Sequence, residues 1–91
     1  MLGEESMKSL CRAIIWSACF LELSEDDIVD PDSAVKALED IASALQDATK
    51  EEKAALVLAC VEEADRLVKE AGPGYTKAAE FVRSLPGALG L

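Results

Sequence analysis

The chain has 91 residues, 18 of them acidic and nine basic, no histidine, and a formal charge of -9. That length supports one domain, and a hydrophobic content of 51% is enough to give it a core. The acidic balance excludes nucleic-acid phosphates and anionic membranes as natural partners and makes a basic protein the complement, although the same charge also serves plain solubility.

The first predicted element is a helix over about 4–23, built around LCRAIIWSACFLEL, Leu10 to Leu23. Glu4 and Glu5 bring negative charge to its first turn, where free amides and the macrodipole favour it. At about 100° per residue, Met7, Leu10, Cys11, Ile14, Ala18 and Leu21 form one stripe, and Ala13, Trp16 and Phe20 form a second on nearly the opposite side. A helix with two apolar sides has to be surrounded, so it is expected at the centre of the domain. Its third side carries Glu5, Lys8, Arg12 and Glu22 as a solvent-like row. Ile15 and Cys19 interrupt that row, which marks them as candidate anchors for a partner. Arg12 and the acidic flank leave too short an apolar run for a secretory signal, and nowhere are there the roughly 20 apolar residues of a membrane span.

Ser24-Glu25-Asp26-Asp27 fits either a capped turn that tucks Ile28 and Val29 inward or a plain acidic loop. Asp30-Pro31-Asp32 is the clearest start signal: an N-cap carboxylate, a proline at the first helical position, where its missing N–H costs nothing, and a second acid in the first turn. The helix that follows, over about 31–47, has Ala34, Val35, Leu38, Ile41, Ala42 and Leu45 on one face and Lys36, Asp40, Ser43 and Asp47 opposite. Thr49-Lys50-Glu51-Glu52 is a capping box. It opens a helix over about 50–71, expected antiparallel to its predecessor across the short Ala48-Thr49 connection. The core arc there is Leu56, Val57, Cys60, Val61, Ala64, Leu67, Val68 and Ala71, with Leu58 standing alone on the polar side. Gly72-Pro73-Gly74 stops it. A fourth helix over about 75–84 spaces Ala78, Phe81, Val82 and Leu85 helically until Pro86-Gly87, and Leu89 or Leu91 is expected to dock on the core. No alternating run suggests a strand. The predicted fold is therefore all-α, a single compact four-helix domain over 1–91 with a central hydrophobic N-terminal helix.

Cys11 and Cys19 are eight residues apart, about 12 Å along one helix, which no disulfide spans. With Cys60 they read as small buried hydrophobes of a reducing, cytoplasmic compartment, Cys19 being the most reactive because it lies on the mixed face. Without histidine or a CxxC pair there is neither a metal set nor a base for a Ser or Cys nucleophile. The adjacent pairs Glu39-Asp40, Glu51-Glu52 and Glu62-Glu63 diverge around their helix axes and read as solvated faces. Glu25 to Asp32 lacks the alternate oxygen ligands and sixth-position glycine of a calcium loop. Neither an enzyme nor a cofactor is expected.

Asp32-Ser33 at the head of a helix resembles the modification site of acyl carrier proteins, which would make Ser33 the phosphopantetheine carrier. Ala34, the long first helix and the short loop depart from that family. The small, acidic, all-helical profile as a whole is similar to that of bacterial immunity proteins and antitoxins, and this resemblance implies a basic toxin enzyme as partner, neutralised by covering its active cleft. Acidic rims steer such association and desolvated apolar anchors hold it. The rim is assigned to Glu22, Glu25, Asp26, Asp27, Asp30 and Asp32, and the anchors to Ile15, Cys19 and Leu58. The alternatives are a homodimeric helical adaptor that buries Ile15, Trp16 and Cys19, and a carrier protein modified at Ser33.

Overall fold

In the computed structural model, which describes residues 4–91 and side chains from Met7 onward, the chain forms α1 (Glu4–Leu23), α2 (Pro31–Leu45), α3 (Lys50–Arg66) and α4 (Thr76–Ala88). A π-helical turn, Leu67–Ala71, prolongs α3, and a 3-10 turn, Pro73–Tyr75, leads into α4. No strand occurs among the described residues. The roles expected of the Glu4 and Glu5 side chains lie outside the described ones.

The local start signals operate as read. The Asp30 carboxylate accepts from the Ser33 N–H at 3.0 Å and caps α2. Thr49 accepts from the Glu52 N–H at 3.0 Å while Glu52 accepts from the Thr49 N–H at 2.8 Å, a complete capping box. The ends differ more. Instead of reaching Asp47, α2 stops at Leu45 and unwinds through three tighter bonds, from the N–H groups of Gln46, Asp47 and Ala48 to the carbonyls of Ser43, Ala44 and Leu45.

At the other end of the chain, α4 begins at Thr76 and runs through Pro86 to Ala88, four residues beyond the expected stop at Ser84. The buried pair Leu85 and Leu89, one turn apart, holds the helical path across the proline. The true terminator is Gly90, at φ +75°. Its N–H donates to Gly87 and that of Leu91 to Pro86, the two bonds of a Schellman cap.

α1 packs against all three other helices, and α3 against α4 forms the tightest pair. The fully buried large side chains are Ile15 from α1, Leu56 and Cys60 from α3, Leu67 from the π turn, and Val82 and Leu85 from α4. Each of the aliphatic ones contributes about 1.5–3 kcal/mol of burial. The buried Ala18, Ala64 and Ala79 let the helix axes approach closely. By contrast α2 leans on α1, is not packed as a pair with α3 as the short connection suggested, and has Ala34 as its one buried residue. The thinnest dimension of the molecule is 19 Å, about two helix diameters, so every helix keeps one side in water.

The rotation of α1 about its own axis differs from the sequence reading. Ile15, Cys11, Ala18 and Cys19 face the core, whereas Leu10 is 62% and Phe20 57% exposed. The cause is an ionic edge between α1 and α3. Glu63, only 4% exposed, receives the Nε of Arg12 at 3.1 Å and is also hydrogen-bonded by Arg66. Next to it Lys8 pairs with Glu62 at 3.1 Å. The row Lys8–Arg12 is thus the margin of an interhelical seam, and Glu63 is not the solvated carboxylate its neighbour Glu62 suggested.

A desolvated carboxylate is costly unless it stays paired. Because the Arg12 side chain is about half exposed, Arg12→Met is expected to cost about 1–2 kcal/mol. Replacing Glu63 by Met in the same chain should recover most of that loss, as read by urea unfolding of the two single variants and the double variant.

Candidate protein-binding surface

From Ala13 to Val35 the chain has six carboxylates, Glu22, Glu25, Asp26, Asp27, Asp30 and Asp32, and no lysine or arginine. The segment between α1 and α2 is a hydrogen-bonded turn in which the N–H groups of Ile28 and Val29 both donate to the Glu25 carbonyl, at 2.9 and 3.0 Å. The turn sends its two aliphatics in different directions. Val29 is half-buried, but Ile28 is 66% exposed, not tucked inward. All six carboxylates are exposed, and among the described residues none of them forms an ion pair. Asp30 is nevertheless occupied, since one of its oxygens accepts from both the N–H and the hydroxyl of Ser33 at 3.0 Å. Ser33, the residue a carrier protein would modify, is thus an exposed hydroxyl held in the N-cap of α2.

The acidic end opens into a groove between α2 and α4, which do not close on one another. Its lining is mostly apolar, from Val35, Leu38 and Ala42 on α2 and Phe81 and Leu85 on α4, with Glu22, Glu39 and Ser84 as its polar members. Asp32, Val35, Glu39 and Ala42 follow one another at helical spacing along α2, so the groove's edge is continuous with the acidic turn. Val35 is 56% exposed. Periodicity places it in the core arc of α2, but no helix lies beyond that edge to cover it.

Among the anchors expected from sequence, Ile15 and Cys19 are corrected: both are buried in the core between α1 and α3 and offer no surface to a partner. Their place in a charged row reflects the ionic seam beside them. Leu58 is exposed, together with Val61 on the next turn of α3, which the sequence assigns to the core. Leu58 does not line the groove. The exposed apolar side chains that do accompany the carboxylates are Leu23, Ile28 and Val35, of which Val35 lines the groove. Ile28 carries a recoverable signal, an isoleucine amid acids in a turn too short to fold it inward. The groove itself depends on how α2 and α4 are set and has no signature in either helix alone.

All three cysteines are buried free thiols, so the greater reactivity expected of Cys19 is also corrected. Burial, and next the charge of Glu63, push the Cys19 thiol up to about 11 from 9.0. Burial, with Cys11 and Cys19 close by, pushes Cys60 to about 11 as well. Below pH 9 these thiols are protonated in folded and unfolded chains alike. As pH rises from about 9 towards 11 the unfolded chain ionises first, so folding stability falls across that window. Urea titrations on either side of pH 9 should show the decline, and a Cys19→Ala, Cys60→Ala variant should lose less over the same interval.

Comparison with protein-family models, with curated proteins and with solved structures found no match for this chain.

Proposed function

We propose that this protein is a protein-binding inhibitor that engages a basic protein through the acidic turn and the α2–α4 groove, in the manner of an immunity protein or antitoxin covering the cleft of a basic enzyme. The observation that carries this reading is a mostly apolar groove lined by exposed Val35, with Glu22 and Glu39 among its polar members, and, in the turn between α1 and α2, a run of carboxylates without ion-pair partners around exposed Ile28. Carboxylates of one sign raise the rate of encounter with a cationic surface, and the enclosed apolar contacts hold the complex once formed. Ile28 and Val35 replace Ile15 and Cys19 as anchors, while the groove receives an apolar side chain from the partner. A cationic active cleft covered in this way loses access to its substrate, which is all the inhibition requires.

The test begins with capture of the partner from the source organism, followed by association kinetics at two salt concentrations. Neutralising Glu25, Asp26 and Asp27 together should slow association and flatten its salt dependence. Asp30 is left intact because its carboxylate caps α2. Ile28→Ala and Val35→Ala should chiefly speed dissociation, each by about 1–2 kcal/mol. Stoichiometric addition of the protein should also suppress the partner's activity. A captured partner that is acidic, or kinetics unmoved by either class of variant, would contradict the reading.

A further inference from the structure

The outward side of α1 is a separate surface. From Leu10 to Leu23 its exposed arc comprises Leu10, Ala13, Ser17, Phe20 and Leu23, with half-buried Trp16 and Leu21 beside them, and it carries no charge. The charged residues of the same stretch lie elsewhere, Arg12 on the seam with α3 and Glu22 on the groove. Ala13, Trp16, Ser17 and Phe20 surround a shallow hollow bordered otherwise only by Leu21, all from α1. Their spacing of i, i+3, i+4 and i+7 is that of the hole which receives a knob from a facing helix.

We infer that a second copy of this chain covers this face, α1 against α1 in antiparallel orientation, about a two-fold axis passing between Trp16 and Ser17. Such a contact is self-complementary. It sets Leu10 opposite Leu23, Ala13 opposite Phe20 and Trp16 opposite Ser17, so each aromatic ring meets a small residue of the other copy. Electrostatics selects the orientation. A parallel pair would bring the two acidic turns together, whereas the antiparallel pair holds them at opposite ends. The thirteen residue steps from Leu10 to Leu23 span about 20 Å of helix, well beyond a screening length of about 8 Å. One helix face buries less than the roughly 800 Å² per partner of a standard interface, so the dimer is weak and forms at high protein concentration. The acidic turn and the α2–α4 groove stay outside the contact, which makes the inference independent of the proposed inhibition.

The test is sedimentation equilibrium of the full chain over a concentration series, with Ser17→Cys as a second probe. A reversible monomer–dimer equilibrium is expected, strengthened by added salt because the contact is apolar and salt screens the repulsion between two acidic molecules. Phe20→Asp, checked for fold by circular dichroism, should remain monomeric. With diamide as oxidant, which takes up the two electrons and two protons released by two thiols, Ser17→Cys should form an interchain disulfide faster than Leu58→Cys on α3. A chain that stays monomeric at every concentration overturns the inference. So does a dimer that survives Phe20→Asp, one that salt dissociates, or cross-linking through position 58 that is as fast as through position 17.

Discussion

The carboxylate of Glu63, held between Arg12 and Arg66 at the edge of the core, decides which side of α1 faces the protein. Apolar packing alone leaves the choice open, because α1 is apolar on most of its circumference and several rotations would bury comparable area. Turning α1 by one residue, about 100°, would carry Arg12 away from α3 and leave the desolvated Glu63 carboxylate with Arg66 as its partner, a penalty added to the loss of the buried Ile15 contacts. With Arg12 fixed beside α3, Ile15 and Cys19 are carried into the core, Phe20 is carried towards solvent, and Trp16 lies half-buried at the core's margin. The specificity of the fold rests here on an ion pair, and its bulk stability on the leucines, valines and alanines behind it.

Much of the architecture was legible in the sequence because it is encoded locally. The cap at Asp30, the box at Thr49 and Glu52, and the breaks around Gly72 need only residues a few positions apart to act on one another. What periodicity could not supply was tertiary context. Lys8 and Arg12 read as solvated because their partners, Glu62 and Glu63, lie some fifty residues away in the chain. Pro86 read as a terminator because the anchoring of Leu85 and Leu89 is invisible until α4 is seen against the core. Val35, Val61 and Val68 lie on apolar arcs, but no helix sits opposite to cover them.

The candidate site shows the same division. The carboxylates from Glu22 to Asp32 could be listed from sequence, since no lysine or arginine lies between Ala13 and Val35, and Lys36, one turn beyond Asp32, pairs with Asp40 instead. The apolar half of the site could not, because it depends on the gap between α2 and α4. That gap has a mechanical counterpart. α2 is attached through α1 and has Ala34 as its one buried residue, so it is the helix held by the fewest core contacts. Elements of this kind open at low free energy, which suits a groove that has to admit a partner's side chain.

The rotational setting of α1 underlies both surfaces, and the comparison of Ile15→Ala with Phe20→Ala tests it most directly. Urea unfolding is measured at low protein concentration, so that self-association does not contribute. Loss of the fully buried Ile15 side chain should cost about 2–5 kcal/mol. Loss of the outward Phe20 ring should cost less than about 1 kcal/mol. The opposite order, with Phe20 the more costly, would show that α1 turns its other side to the core and would contradict the account.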